Sequence, residues 1–265
     1  QLQRGHVQIV YYTWLVLGTY FLYQLIVQAK RGDTSRIGGQ SLRFVAVLVL
    51  ALGTAAMLYM PILEYTPLSI RGAPSAFSQN PTDTGVGFEY ATQWSFSMGE
   101  MMSFIIPSFY GYGGQTYWGT MPFTDYPHYM GILVFLLGIY GIVARRKEPF
   151  TWFLTIVIFL ALLLSFGKNF AFFYQLFYDL MPYFNKFRVP VMILVVVQTG
   201  FAVLAGLGLQ TLFEKTREVV KTREAAPSRA LYVAISIIGL AIVLSIAQSG
   251  FFSFMEDLYP NRFNA

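Results

Sequence analysis

The chain alternates long apolar runs with short polar breaks. Six stretches, residues 7–27, 44–63, 128–144, 150–166, 189–213 and 230–249, are apolar on every face rather than along one stripe. A helix in a soluble core shows a stripe, whereas a helix in hydrocarbon is apolar all round. These runs approach or exceed the roughly 17–25 residues that cross a bilayer. The third and fourth are short and joined by "RRKEP", which predicts a tight antiparallel hairpin. The pattern therefore predicts an all-α, polytopic transmembrane bundle of about six spans, with residues 1–265 forming one membrane region. The opening "QLQRGHVQIV" has no initiator Met and no signal-peptide order, and reads as entry into a helix already under way. An internal fragment of a longer protein is the expectation.

Composition agrees with the pattern. Hydrophobic residues make up 55% and charged residues 12% of the 265, about half the usual charge of a soluble domain. Mean hydropathy is +0.53. With no cysteine, disulfides and thiolate metal sites are excluded. The net charge of +5 carries little about nucleic acid, which is not an expected partner; its placement is more informative. Lys30, Arg31, Arg36 and Arg43 follow the first span, Arg145, Arg146 and Lys147 the third, and Lys215, Arg217, Lys221, Arg223 and Arg229 the fifth. The positive-inside rule puts these breaks in the cytoplasm and both chain ends outside. Residues 64–127 and 167–188 then form two extracytoplasmic loops.

The first of these is too long for a connector. Ser97 and Glu100 have the spacing of a capping box, and Met98, Met101, Met102 and Ile105 share a helical face ending at Pro107. In the second loop, Phe173, Leu176, Phe177, Leu180, Met181 and Phe184 recur at helical spacing. Each loop is predicted to carry a short interfacial helix. Glycines interleave Tyr110, Tyr112, Tyr117, Trp118, Phe123 and Tyr126; such a cluster can stack on sugar rings, and equally suits an interfacial aromatic belt.

No phosphate loop, HExxH or hydrolase elbow is present. The two histidines, His6 and His128, are distant from each other and no cysteine supports them, so no metal is expected. Glu64, Glu100 and Asp125 are candidate outer-face acids for acid–base or hydroxyl-orienting work; capping alone accounts for Glu100. Arg71, Lys186 and Arg188 are outer cations suited to phosphate, with snorkelling to lipid headgroups the plainer alternative. Pro190 suits a helix's first turn, which puts Lys186 and Arg188 near a helix N-terminus.

The motifs "GHVQIVYY", "LEYTPLSIRG", "YATQWSFSMGEMMSFIIPSFYG", "YWGTMPFT", "LLLSFGKNF" and "NKFRVPVMIL" resemble, in this order, those of YfhO-like bacterial membrane proteins. The likeness runs over about residues 5–210. It implies a glycosyltransferase of the GT-C type in the bacterial cytoplasmic membrane, which moves a sugar from a polyprenyl-phosphate carrier to a cell-envelope acceptor on the outer face. On this resemblance Arg71, Lys186 and Arg188, helped by His6, would clamp the phosphate. Tyr117 and Trp118 would be the sugar platform, and Glu64, Glu100 and Asp125 would orient hydroxyls. The family's catalytic acid lies early in its outer region, and is expected to fall outside this sequence. No paired-acid motif appears, and no cofactor is implied.

Two other readings stay open. One is a structural or accessory subunit that packs against protein partners in a larger membrane complex. The other is a transporter of lipid-linked sugars, against which stands the lack of ionisable residues near the middle of any span. Gly53, Thr54, Gln198, Thr199 and Gly200 lie in spans and suit helix packing.

Overall fold

The computed structural model describes residues 7–32, 35, 37–65, 68, 87–114, 116–124, 128–222 and 229–258. His6, Arg71 and Asp125 lie outside them.

The described residues are all-helical apart from turns and one isolated bridge between Gly113 and Thr124. In chain order the helices are α1 (Val7–Lys30), α2 (Ile37–Tyr65), α3 (Phe88–Ala91), α4 (Ile132–Ala144), α5 (Pro149–Ser165), α6 (Ala171–Leu180), α7 (Leu194–Thr222) and α8 (Arg229–Leu258). Among them, four stretches are long and apolar enough to cross a membrane: Val7–Lys30, Ile37–Met57, Pro190–Arg217 and Tyr232–Phe251. A fifth arises if α5 and the segment that bends away from it count as one span. This is the helix inventory of a multi-pass membrane protein.

The expected run at 128–144 is shorter than the pattern implied. Residues 128–131 are not helical, Gly131 adopts φ +89°, and α4 keeps 13 residues. At 1.5 Å per residue that is about 20 Å, short of the roughly 30 Å hydrocarbon thickness. The turn at 145–147 does reverse the chain, and Pro149 opens α5 at a position where its missing N–H costs nothing. Yet α4 and α5 do not chiefly face each other. Both pack mainly on α7, the axis of the bundle.

Glycine makes the α4–α7 contact close. A Cβ on Gly141 would lie 2.3 Å from the Leu204 carbonyl oxygen, and one on Gly208 2.4 Å from that of Leu137. Backbones therefore touch, the small-residue packing used where hydrophobic drive between helices is weak. Gly200 likewise leaves room for Ile158 of α5. Gly53, expected to serve packing, has nothing within 4 Å.

Successive long helices run in opposite senses. At one end Gln28 donates to Gln40 (2.5 Å) across the α1–α2 turn. Arg145 there ties the α4–α5 turn to α7, donating to Thr211 Oγ1 (2.8 Å) and lying 3.7 Å from Glu214. At the other end the loops build a layer over the helix termini. Most of the large core cluster lies in or under that layer, with Phe96, Phe104, Tyr117, Met121, Phe166, Tyr174, Phe184 and Leu194 all buried. Phe109 of the layer stacks on Phe251 of α8 at 4.7 Å.

Of the two predicted loop helices, the first changes form and the second is present as α6 but ends earlier than its apolar pattern. The capping box is present: Ser97 N–H donates to Glu100 Oε2 (2.7 Å) and Glu100 N–H to Ser97 Oγ (3.4 Å). It opens a six-residue 3₁₀ turn, Gly99–Phe104, rather than an α-helix. Met101 and Ile105 pack inward while Met98 and Met102 are exposed, so the predicted single face is divided. In α6, Phe173, Tyr174 and Phe177 face the core; Leu176 and Leu180, expected on that side, are exposed with Phe172. Phe184 lies beyond the helix in its own 3₁₀ turn and is buried.

Candidate functional site

The loop layer is held together at a sharp elbow. After α5 the chain bends by 111° at Gly167, whose φ is +45°. A Cβ there would fall 2.1 Å from Ser95 Oγ and 3.0 Å from Pro190 Cγ. Three distant segments thus meet at a residue that has to be glycine. Phe96 N–H donates to the Ser165 carbonyl (2.9 Å), Lys168 N–H to Ser95 Oγ (2.9 Å), and Asn169 Nδ2 to the Phe96 carbonyl (2.8 Å). On the other side of the same strand-like stretch, Val189 N–H donates to Ala91 O (3.1 Å) and Val191 N–H to Trp94 O (3.2 Å).

These bonds fix Arg188. Val189 is β-branched and sits at φ +65°, an outlier that persists only when the surroundings over-determine it. Besides the bond from its N–H, its carbonyl accepts from Gln8 Nε2 of α1 (3.2 Å). The Arg188 guanidinium then lies over two rings, 4.1 Å from the centre of Tyr90 and 4.4 Å from that of Trp94. Its Nη1 donates to the Tyr90 hydroxyl, and its Nε is buried with no hydrogen-bond partner. Among the described residues no carboxylate pairs with it. Two residues away Lys186 is half-buried, and burial pulls its pKa below the ordinary lysine value. Pro190 opens a 3₁₀ turn, Pro190–Ile193, which leads into α7. The chemistry available here is that of a partly buried cation oriented by two rings, with an unpaired Nε–H, suited to an oxyanion.

A second polar cluster lies further along the same stretch. Glu100 is 2% exposed. Its Oε1 accepts from the Tyr117 hydroxyl, which in turn accepts from Met121 N–H (3.0 Å). Burial and the adjacent Glu100 push the Tyr117 pKa well above the usual phenol range. Tyr117 is 9% exposed, so its ring face is not available as a sugar platform; it is a buried partner of Glu100. Trp118 is exposed at the surface and packs on Tyr110, with centroids 4.2 Å apart.

Of the residues singled out by sequence, Lys186 and Arg188 are together, and Glu100 and Tyr117 are together. Glu64 is exposed in the last turn of α2, with no described contact to either cluster. Tyr90, Trp94, Gln8, Ser95, Gly167 and His128 were not singled out as site residues. The signal for the first two was an Arg whose break holds no nearby acid, facing aromatics four residues apart in "YATQW". Among the described residues no three His, Asp or Glu side chains gather as a metal site would require. No protein-family model, curated protein or solved structure matches the chain.

Proposed function

We propose that this chain is the membrane part of a GT-C-type glycosyltransferase that takes a sugar from a polyprenyl-phosphate donor and passes it to a cell-envelope acceptor. The loop layer faces the extracytoplasmic side of the bacterial inner membrane. The observation that carries this reading is Arg188, held against Tyr90 and Trp94 with a buried, unpartnered Nε at the end of an apolar helical bundle. An arginine oriented this way fits a phosphate presented at the membrane surface, and Lys186 adds a second positive charge. The YfhO-like motifs support the same assignment, since "YATQW" and "NKFRVPVMIL" supply both sides of the clamp.

The long apolar helices and the short α4 (Ile132–Ala144) belong to the membrane region, with residues 128–131 in the loop layer above α4. The α6 helix lies in the interface, its exposed row Phe172, Leu176 and Leu180 turned toward lipid. The test is donor binding by the purified protein in nanodiscs. Arg188→Ala is expected to weaken polyprenyl-phosphate binding roughly 10- to 100-fold, the worth of a charge-assisted hydrogen bond. Arg188→Lys recovers only part of it. Unchanged affinity in Arg188→Ala overturns the reading.

A further inference from the structure

A groove of about 410 Å³ runs between α1 and α7, with α5 as its floor. Thr13 and Leu17 stand on one wall, Thr199 and Val203 on the other, and Val157 and Ile158 form the floor. Leu17 and Val203 are exposed, so the groove is open along its outer side. Contacts of α1 bound it at both ends. Near Ile9, Gln8 Nε2 donates to the Tyr12 hydroxyl (2.9 Å) and to the Val189 carbonyl (3.2 Å). At the other end Tyr20 and Tyr23 pack on Phe153, with centroids 5.6 and 4.9 Å apart, and Tyr20 also meets Phe150.

The groove asks for hydrocarbon. Its two threonine hydroxyls donate within their own helices, Thr13 to the Ile9 carbonyl (2.9 Å) and Thr199 to that of Val195 (2.7 Å). Its length is also limited. At 1.5 Å per residue, α1 rises about 16 Å from Ile9 to Tyr20. That is about half of the roughly 30 Å hydrocarbon thickness, the depth of one leaflet. A transmembrane helix needs the full thickness and would run into the contacts at either end. Charge then distinguishes the ends. Lys30 and Arg31 finish the α1 wall at the Tyr20 end, and Arg146 and Lys147 come just before the α5 floor. All four are exposed, and among the described residues no carboxylate pairs with them. Their neighbour Arg145 differs, lying 3.3 Å from Glu148 and 3.7 Å from Glu214.

We propose that the groove holds one acyl chain of an anionic phospholipid, whose phosphate lies among Arg146, Lys147, Lys30 and Arg31. The chain fills the space between α1 and α7 over Val157, and the headgroup takes up the four unpaired cations. The lipid belongs to the leaflet at that end, whichever side of the membrane it faces. The site shares no residue with the Arg188 cluster and lies at the opposite end of the bundle. It therefore needs only that the helices sit in a bilayer.

The probes are phosphatidylglycerol and phosphatidylcholine, each with a nitroxide near the end of one acyl chain, in phosphatidylcholine vesicles containing the protein. Electron paramagnetic resonance separates chains held by the protein from fluid ones. The held fraction is expected to favour phosphatidylglycerol about fivefold, the effect of one well-placed cation. Arg146→Gln with Lys147→Gln should lower that preference at least threefold. Lys215→Gln with Arg217→Gln removes the same charge from the same end of the bundle and should leave it intact. Val157→Trp fills the groove from its floor, and is expected to abolish the preference without touching a charge. Four results overturn the proposal. Equal held fractions mean that no headgroup is selected. An equal loss in the Lys215/Arg217 variant means diffuse surface charge. An unchanged preference in Val157→Trp means that the lipid sits elsewhere. Displacement of the labelled phosphatidylglycerol by equimolar polyprenyl phosphate means that the groove belongs to the donor. The parent and the two charge variants decide if Val157→Trp does not fold. The measurement does not involve Arg188 or turnover, so failure of the phosphate clamp leaves this site standing, and equal held fractions here leave the clamp standing.

Discussion

His128 illustrates how one side chain ties stability to pH. Burial lowers its pKa from 6.5 to about 4, because its desolvated position penalises the charged imidazolium. Between those values the unfolded chain holds a proton that the folded chain does not. Stability therefore falls as pH drops from 6.5 toward 4 and levels off below it, by about 3–4 kcal/mol at most, at 1.4 kcal/mol per unit. Thermal unfolding in detergent between pH 7.5 and 4 checks this, with His128→Phe expected to lose that part of the acid sensitivity. Arg188 shows the limit of reading residues singly. Its charge in an outer break was legible from the sequence, but Tyr90 and Trp94 lie almost a hundred positions earlier. Only the fold brings those rings to the guanidinium, because the elbow at Gly167 and the bonds of Val189 align the two segments.

At the scale of elements, helix existence was readable and helix extent was not. An apolar run announces a helix, but the irregular chain at 128–131 removed a full turn from α4. The 3₁₀ turn at Gly99–Phe104 defeated a face drawn at 3.6 residues per turn. With three residues per turn, Met101 and Phe104 align and both point inward. Glycines raise the same difficulty, since Gly53 and Gly208 look alike in sequence and differ in space. Gly141→Leu or Gly208→Leu forces the α4 and α7 backbones apart, and is expected to cost about 2 kcal/mol or more. A Cβ at Gly53 or Gly239 meets no atom within 4 Å, so Gly53→Leu and Gly239→Leu should stay within about 0.5 kcal/mol of the parent. Denaturant titration of the four variants in micelles separates the two classes.

For the whole molecule, the testable property is which end of the bundle lies on which side of the membrane. Arg145, Arg146 and Lys147 gather at the end opposite Arg188. Because the chain has no cysteine, single introduced thiols report sidedness cleanly. Lys147→Cys should react with a membrane-impermeant maleimide only in inverted vesicles, and Tyr112→Cys only in intact cells. Labelling of both from one side would remove the six-span arrangement. The long helices were legible because each carries its own apolar signal. The loop layer was not, because its order depends on pairings between residues 91–97, 165–169 and 188–191.

Those pairings also impose a timetable on biogenesis. The first loop of the layer is complete in sequence by residue 130, yet Phe96 and Ser95 wait for Ser165 and Lys168, and Ala91 and Trp94 wait for Val189 and Val191. A nascent chain that ends before α5 holds an aromatic-rich segment without these partners. Residues 95 and 96 can pair once 165–168 are made, and the loop is finished only when 189–191 arrive, so the layer matures in two stages.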